Sequence, residues 1–264
     1  MANVAVVTGG ASGIGLAVCE LLTAEGWHVA IVDRTTDGTA VAKRLNAMFV
    51  EADVSDYKNV FDAFSAVWRR YERLNFVFAN AGIIERQSFY SPPQGDHGGL
   101  VPTFDISTIN VNLSGVIFTS HVALQFFRRG EDAGPKSIIM TSSSSGLYPN
   151  LSAPIYAASK HGIVGFMRSI AQRLYSQDGI SVNCINPGTT RTGIIGTEEW
   201  NIFPAECIST PEQVATIVKS IIESSSFHGQ AVEIVVDQTF PRGPPPFLDE
   251  RMERLTACAD RLIG

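Results

Sequence analysis

The sequence has few of the features that mark secreted, membrane-spanning or nucleic-acid-binding proteins. Its four cysteines, Cys19, Cys184, Cys207 and Cys258, are far apart and form no CxxC pair, so we expect neither a disulfide framework nor a metal site. No apolar run approaches the length of a membrane span, and the N-terminus shows no basic and then apolar leader, which predicts a cytoplasmic protein. The formal net charge of −6 argues against a nucleic-acid partner.

Short apolar runs alternate with helical patterns along the 264 residues. We predict seven strands, beginning near residues 3, 27, 48, 74, 136, 180 and 231, with helices between them. This order predicts an α/β fold of the Rossmann type, a doubly wound parallel sheet flanked by helices in a single domain. We expect that domain to span residues 1–240, followed by a C-terminal extension, 241–264, with a stiff proline-rich linker at 241–246.

A glycine-rich segment, Gly9-Gly-Ala-Ser-Gly-Ile-Gly15, lies directly between the first strand and the first helix. A turn this tight needs residues without Cβ, and it points free N–H groups and a helix N-terminus at an anion. We therefore expect a pyrophosphate to bind here, although the glycines would also suit a tight turn alone. The residues assigned to this site are Gly9, Ser12, Gly13, Ile14 and Gly15.

The second strand ends in Asp33, which lies 18 residues after Gly15. An acidic side chain near this offset binds the adenosine ribose in dinucleotide-binding folds. Since a carboxylate there would repel the 2′-phosphate of NADP, the sequence favours NAD. Arg34 is a competing observation, because a guanidinium beside the ribose would receive that phosphate. An ordinary strand-end turn is the alternative role for Asp33.

Small or polar residues also follow the third and fourth strands. Asp53 and Val54 stand where an adenine edge would lie, and Asn80, Ala81 and Gly82 follow the fourth strand. Small residues at the end of a parallel strand allow a cofactor to approach the backbone closely.

Tyr156 and Lys160 are four residues apart in a helical pattern and therefore lie on one face of that helix. A cation beside a phenol lowers the pKa of the tyrosine and prepares it to exchange a proton with an alcohol or a carbonyl. Taken alone, the spacing equally fits an exposed tyrosine and a solvated lysine. Four serines, residues 142–145, end the fifth strand, where open parallel sheets place active-site groups.

Together these motifs resemble the short-chain dehydrogenase/reductase family in order and spacing, to about residue 237. The helix around Tyr156 is most similar to that of NAD-dependent members of the hydroxyprostaglandin dehydrogenase type. Ala79, directly before Asn80, stands where the family usually has a further asparagine. The segments that carry the resemblance are Thr8 to Gly15, Asn80-Ala-Gly82, Ser143, Tyr156-x-x-x-Lys160 and Pro187-Gly188-x-x-x-Thr192.

The resemblance implies catalytic roles for four residues. Tyr156 would exchange the proton, Ser143 would hold the substrate oxygen, Lys160 would lower the pKa of the tyrosine, and Asn112 would hold a water linked to Lys160. The implied cofactor is NAD rather than NADP. Further cofactor-binding residues implied by the resemblance are Tyr156, Lys160, Pro187, Gly188, Thr190 and Thr192.

Two of these assignments leave neighbouring residues as alternatives. Ser143 has the family's spacing to the catalytic tyrosine, but Ser142 and Ser144 remain alternatives. Asn112 matches the family's local pattern better than Asn110 does.

The implied activity is reversible NAD-dependent oxidation of a secondary alcohol to a ketone. The alternatives are an NADPH-dependent carbonyl reductase and a non-catalytic cofactor-binding scaffold. We expect a medium-sized, mostly apolar small-molecule substrate, such as a lipid, a steroid or a secondary metabolite, and a homodimer or homotetramer. The substrate residues assigned from segments 84–102, 147–154 and 189–210 are Ser143, Leu147, Tyr148, Ile194, Trp200 and Phe203, whereas His97 is interpreted as a solvated loop residue.

Overall fold

A mostly parallel β-sheet forms the centre of the molecule, which a computed structural model describes over residues 2–91, 103–130, 134–196, 198–224 and 226–259. Its strands are β1 (Val4–Thr8), β2 (His28–Asp33), β3 (Met48–Glu51), β4 (Phe76–Ala79), β5 (Lys136–Thr141), β6 (Ile180–Pro187), β7 (Ala231–Val235) and β8 (Gln238–Arg242). They lie in the order β3-β2-β1-β4-β5-β6-β7-β8. Neighbouring strands pair in parallel, except that β8 is antiparallel to β7.

Helices pack against both faces of this sheet. They are α1 (Gly13–Ala24), α2 (Gly38–Leu45), α3 (Tyr57–Tyr71), α4 (Ser107–Ile109), α5 (Gly115–Phe127), α6 (Pro154–Asp178), α7 (Pro211–Glu223) and α8 (Glu250–Ala259). Buried side chains of α3, α5 and α6 form one core cluster with the sheet, and those of α1, α2 and α7 form a second. The central strands are rich in valine and isoleucine because both of their faces are buried.

The predicted α/β fold of the Rossmann type is confirmed, and seven of the strands lie where the apolar runs predict them. The start of α7 illustrates how local chemistry sets these boundaries. Thr210 Oγ1 accepts a hydrogen bond from Gln213 N–H at 3.3 Å, while Gln213 Oε1 accepts one from Thr210 N–H at 2.8 Å. This reciprocal capping box, with Pro211 in the first turn, fixes the helix start that the sequence indicates.

The eighth strand was not predicted. The sequence predicts a stiff linker at residues 241–246, but Pro241 and Arg242 belong to β8. The predicted boundary at residue 240 therefore falls inside a strand. Pro241 lies opposite Val232 of β7. A proline is tolerated there because β8 is an edge strand, where one side of the backbone needs no partner strand.

The helix predicted between the fourth and fifth strands is not continuous. Regular helix begins only at Ser107, and residues Asn110–Ser114 form a π-helical turn before α5 continues. A π-turn inserts one extra residue and rotates the side chains that follow it, which is a frequent feature of functional sites. Asn112 lies in this turn and is fully buried.

The strand order reverses between β1 and β4, so the crossovers on either side of this pair leave in opposite directions. In open parallel sheets a crevice forms at such a point, outside the carboxyl ends of the strands. The glycine segment, the asparagine after β4 and the serines after β5 all lie at this edge. The fold therefore gathers the sequence motifs at one place.

Candidate active site

The glycine segment makes a tight turn packed against the end of β4. Gly9 and Gly13 adopt φ angles of 66° and 53°, which side chains rarely tolerate. A Cβ on Gly9 would lie 2.9 Å from Ala81 Cα, and one on Gly15 would lie 2.1 Å from Gly9 O. The absence of side chains is thus a steric requirement of this turn, and it leaves the backbone of the α1 N-terminus accessible from the cleft.

Asn80 ties together three strand ends below this turn. Its Nδ2 donates to Thr8 O at 3.2 Å, and its Oδ1 accepts from Thr141 Oγ1 at 3.0 Å. Thr8 Oγ1 accepts from Asn80 N–H at 3.0 Å and from Ala81 N–H at 3.2 Å. The carboxyl ends of β1, β4 and β5 are therefore fixed relative to one another.

Asp33 is bonded to the glycine turn. Its Oδ2 accepts from Ala11 N–H and its Oδ1 from Thr35 N–H, both at 3.1 Å. Arg34 beside it is exposed. Asp53, at the end of β3, accepts from both the N–H and the hydroxyl of Ser55, at 2.8 and 2.7 Å.

A cleft of about 590 Å³ opens above these strand ends. It brings together most of the residues that the sequence assigns to a cofactor: Gly9, Ser12, Gly13, Ile14, Asp33, Arg34, Asp53, Val54, Asn80, Ala81, Gly82 and Thr192. Its lining also includes residues that the sequence reasoning did not assign, among them Ile83, Ile84, Arg86, Val111 and Gly193. Those residues carry no local motif, although Ile84, Arg86 and Gly193 fall within the segments 84–102 and 189–210 from which the sequence assigns substrate residues.

Tyr156 and Lys160 lie side by side on α6, as their spacing predicts. Lys160 Nζ is 5.4 Å from the centre of the Tyr156 ring and donates to Thr141 O at 2.7 Å. It also lies 3.5 Å from the point that a Cβ on Gly82 would occupy, so it sits directly behind the wall of the cleft. The absence of a side chain at Gly82 leaves the approach to the lysine open.

Burial dominates the electrostatics of this pair. It lowers the pKa of Lys160 to about 7. Burial also raises the pKa of Tyr156, whereas a hydrogen bond with Ser143 opposes that rise. The effect of Lys160 on the pKa of Tyr156 stays a prediction.

The hydrogen bonds of the serine turn distinguish Ser143 from Ser142 and Ser145. Ser142 Oγ is buried and donates to Lys160 O at 2.9 Å, and Ser145 Oγ accepts from Asn150 Nδ2 at 3.1 Å. Ser143 is the serine that interacts with the Tyr156 hydroxyl, and its Oγ also accepts from Ser145 N–H at 3.1 Å. The structure therefore brings together Ser143 and Tyr156, the pair that the sequence motif selects.

Asn112 joins the loop after β4 to α6 through its side-chain amide, and its predicted link to Lys160 through a water stays a prediction. Its Oδ1 accepts from Ile83 N–H at 2.8 Å, and its Nδ2 donates to Ile83 O at 2.9 Å and to Ser159 Oγ at 3.1 Å. The side-chain amide is therefore used to hold the loop after β4 against α6. Its side chain makes no hydrogen bond to Lys160.

Glu85 is a residue of this site that sequence reasoning missed. Its Oε2 accepts from Tyr156 N–H at 2.6 Å. The sequence does indicate that α6 needs a hydrogen-bond acceptor from elsewhere. The helix begins after Ala153, which has no side chain that can cap a helix. The partner lies 71 positions away in the chain, so no local pattern identifies it.

The residues predicted for substrate binding are not gathered in one cavity. Ile194 lines the 590 Å³ cleft, whereas Trp200 lines a neighbouring cleft of about 450 Å³ on the far side of Thr192 and Gly193. Phe203 packs against Trp200 with a ring-centre distance of 6.2 Å.

Two further residues predicted to bind the substrate follow the serine turn and contact other parts of the molecule. Tyr148 OH accepts from Arg242 of β8 at 2.8 Å, and Leu147 packs against the core. His97 and the rest of segment 92–102 lie outside the described residues.

The remaining cofactor assignments fall beside the cleft. Pro187 is buried at the end of β6, and Gly188 N–H donates to Ile234 O at 2.9 Å. Thr190 is buried and pairs with Ser209 in a short bridge. Among the described residues, no three His, Cys, Asp or Glu side chains are grouped as a metal site, and no described helix is both long and apolar enough to cross a membrane.

A doubly wound sheet, a glycine turn at its switch point and a serine–tyrosine–lysine group beside the resulting cleft define a dehydrogenase of the Rossmann type. The chain belongs to the short-chain dehydrogenase/reductase family, since the sequence model described as short chain dehydrogenase matches residues 3–201. It is therefore an oxidoreductase of a family that binds nicotinamide cofactors. The family membership and fold predicted from the motifs are confirmed.

Two relatives and two solved structures give the degree of similarity. The chain is 35% identical over 267 residues to the short-chain dehydrogenase/reductase prx7 of Penicillium rubens, covering 92% of this chain and 94% of that protein. It is 29% identical over 246 residues to the 15-hydroxyprostaglandin dehydrogenase [NAD(+)] of Rattus norvegicus, covering 89% and 86%.

The crystal structure of a 3-oxoacyl-[acyl-carrier protein] reductase from Brucella melitensis in complex with NAD matches with a TM-score of 0.77 at 26% identity, covering 88% of this chain and 95% of that one. Levodione reductase matches with a TM-score of 0.75 at 26% identity, covering 88% and 96%.

Proposed function

We propose that this protein catalyses the reversible, NAD-dependent oxidation of a secondary alcohol to a ketone. The observation that carries the proposal is the approach of Ser143 to the hydroxyl of Tyr156, with Lys160 behind the wall of a cleft bounded by the glycine turn. A phenol and a serine hydroxyl that lie close together suit a substrate oxygen that must be held and deprotonated.

The cleft fits a dinucleotide on steric and chemical grounds. Gly9 and Gly13 leave backbone accessible where a Cβ would clash or strain the turn, which suits a pyrophosphate at the α1 N-terminus. Asp33 would accept hydrogen bonds from the adenosine ribose. When bound, the nicotinamide ring would supply the hydride-accepting carbon. Thr192, which lines the same cleft, would hold its carboxamide.

In the oxidising direction the chain's own residues handle the proton. Tyr156, as the phenolate, would accept the hydroxyl proton of the substrate. Ser143 donates a hydrogen bond to the substrate oxygen and fixes it against the phenol. Lys160, beside the phenol, would hold the ribose hydroxyls of the cofactor. Because burial raises the pKa of Tyr156, we expect the rate of oxidation to rise toward alkaline pH.

The substrate we propose is a medium-sized, mostly apolar alcohol, such as a lipid, a steroid or a secondary metabolite. Support comes from apolar side chains that remain partly or largely exposed near the active-site edge: Leu151, Ile194, Ile202 and Phe203. Large exposed apolar side chains near a reactive group are typical of a surface that receives an apolar ligand.

The second candidate is an NADPH-dependent carbonyl reductase, and one observation favours it. Arg34 is exposed, lines the cleft and follows Asp33 directly, so it is available to a 2′-phosphate. We favour NAD because the Asp33 carboxylate lies at the same place and would repel that phosphate.

A paired cofactor assay tests the proposal. Purified protein is given a panel of secondary alcohols with NAD+ or NADP+, and ketones with NADH or NADPH, while nicotinamide absorbance is followed. We expect turnover of apolar secondary alcohols with kcat/KM at least about tenfold higher for NAD+ than for NADP+, a difference of about 1.4 kcal/mol. A preference for NADPH would favour the second candidate, and tight cofactor binding without turnover of any substrate would favour a non-catalytic scaffold.

We also propose that the protein is a cytoplasmic homo-oligomer that pairs through α5 and α6. The outer face of α6 carries small residues, and a Cβ on exposed Gly165 would meet no atom within 4 Å, which leaves room for a second helix. Light scattering on the purified protein would contradict this if it gave the mass of one chain, and cell fractionation tests the compartment.

A further inference from the structure

Both main-chain polar groups of Tyr156 are held by side-chain contacts. Its N–H donates to Glu85 Oε2 at 2.6 Å, and its C=O accepts from Ser159 Oγ at 2.7 Å. Ser159 Oγ in turn accepts from Asn112 Nδ2 at 3.1 Å. Asn112 also holds both main-chain groups of Ile83, two residues before Glu85. The loop after β4 and the first turn of α6 are therefore joined at Tyr156.

The first turn of α6 needs an acceptor from elsewhere. Tyr156 is the third residue of α6, so its N–H has no partner within the helix. Ala153, at the position before the helix, offers no side-chain acceptor. By contrast, Asp56 and Thr210 cap α3 and α7 locally. Glu85 supplies the missing acceptor from a distant loop, and its negative charge also suits the positive end of the helix dipole.

The geometry of Glu85 is not that of a side chain placed for stability alone. Its second oxygen, Oε1, is buried and accepts no hydrogen bond from the part of the chain that the structure describes. Burying an unpaired carboxylate oxygen is unfavourable, and a serine or aspartate at position 153 would cap the helix without that penalty. A buried polar atom left unsatisfied in this way calls for a functional reason.

The position of Glu85 supplies such a reason. Ile83, Ile84 and Arg86, its neighbours in the chain, line the 590 Å³ cleft. The carboxylate thus connects the wall of the proposed cofactor cleft directly to the backbone of the residue that carries the phenol. A shift of this wall is transmitted to Tyr156 through one short, charge-assisted hydrogen bond.

We propose that Glu85 is a positioning residue that fixes the Tyr156 phenol against Ser143 by anchoring the first turn of α6 to the cleft wall. This inference rests on the proposed function, in which Tyr156 transfers the proton. Glu85 makes no contact with the reacting atoms in this account. It acts through the backbone of Tyr156, so its removal changes the rate of the chemical step rather than the affinity for the cofactor.

Two substitutions at one position test the proposal. In Glu85→Gln the amide oxygen still accepts from Tyr156 N–H, whereas Glu85→Ala removes the acceptor. We expect Glu85→Ala to lower kcat by about 10- to 100-fold, the size of effect that a misplaced catalytic group produces, with KM for the cofactor within about twofold of wild type. Glu85→Gln should restore kcat to within about threefold of wild type.

Asp56→Ala is the matched control for loss of a helix cap. The Asp56 carboxylate accepts from Lys58 N–H at 2.7 Å and from Asn59 N–H at 3.2 Å, and it does not line the cleft. This variant should lose thermal stability and keep its kcat. The proposal is overturned if Glu85→Ala keeps a normal kcat, if Asp56→Ala loses kcat to the same extent, or if the Gln variant is as impaired as the Ala variant.

A readout without turnover separates this inference from the proposed function. Hydrogen exchange at the Tyr156 amide, resolved by NMR or by overlapping peptides, should be at least about tenfold faster in Glu85→Ala than in wild type, because the amide loses the acceptor that Glu85 supplies. Unchanged exchange would overturn the positioning role even if activity fell. If Tyr156→Phe retains turnover, the proposed function fails, whereas the exchange result still decides whether Glu85 anchors the helix.

Discussion

The burial of Lys160 predicts an unusual dependence of stability on pH. Its ammonium is almost completely removed from water and has a single described hydrogen-bond acceptor, the carbonyl of Thr141. Burial lowers the pKa of Lys160 from the model-compound value of 10.5 to about 7. Between these two values the unfolded chain binds a proton that the folded chain does not bind, so stability must rise with pH across that window.

The magnitude follows from the shift. The interval from about 7 to 10.5 is about 3.5 pH units, and each unit corresponds to about 1.4 kcal/mol, so the full effect is on the order of 5 kcal/mol. Only part of it falls within a practical range. From about pH 7 to about pH 8.5 the linkage adds on the order of 1 to 2 kcal/mol to the free energy of unfolding. Burial also raises the pKa values of Cys19 and Cys184, but these thiols change the stability mainly above that pH range.

Urea unfolding of wild type and of Lys160→Met at several pH values measures this contribution. Methionine keeps the apolar stem and removes the amine, so the variant should lose the rise while the cysteine contributions cancel in the comparison. Lys58→Met, at an exposed lysine paired with Asp62, should keep the wild-type slope. If wild type and Lys160→Met showed parallel stability curves between about pH 7 and 8.5, the buried lysine would not have a depressed pKa and the reasoning would be wrong.

Two further predictions concern the proposed cofactor cleft. Gly15→Ala should weaken cofactor binding by about tenfold or more, because its Cβ would lie 2.1 Å from Gly9 O and the turn must shift. The control is Gly165→Ala, whose Cβ would meet no atom within 4 Å, and it should leave the Kd from isothermal titration unchanged. Asp33→Ser should improve NADP+ binding by about tenfold relative to NAD+, since it removes the repulsive carboxylate and leaves Arg34 available; an unchanged ratio of the two Kd values would mean that Asp33 does not select the cofactor.

Local patterns account for most of the fold. Strands buried on both faces appear as short valine- and isoleucine-rich runs, and capping residues mark helices such as α7, so these elements are readable from the sequence. The eighth strand was missed because its proline, Pro241, suggests a linker. Its pairing with β7 depends on a free sheet edge, which no local pattern records.

The candidate site was likewise only partly predictable from the sequence. Motifs identify Tyr156, Ser143 and the glycine turn because each carries its own spacing. The acceptor of Lys160 is a main-chain carbonyl, which has no sequence signature, so no local pattern identifies this contact. Glu85 was missed because the residue that it holds lies far along the chain.

The most direct test of the central claim is the effect of Tyr156→Phe on hydride transfer. The variant removes one oxygen and leaves the ring, the helix and the cleft in place. We expect its Kd for NAD+, measured by titration, to stay within about threefold of wild type while kcat for the best alcohol of the panel falls by about a thousandfold or more, because the proton acceptor is gone. Turnover within about tenfold of wild type would contradict the claim that this phenol accepts the proton.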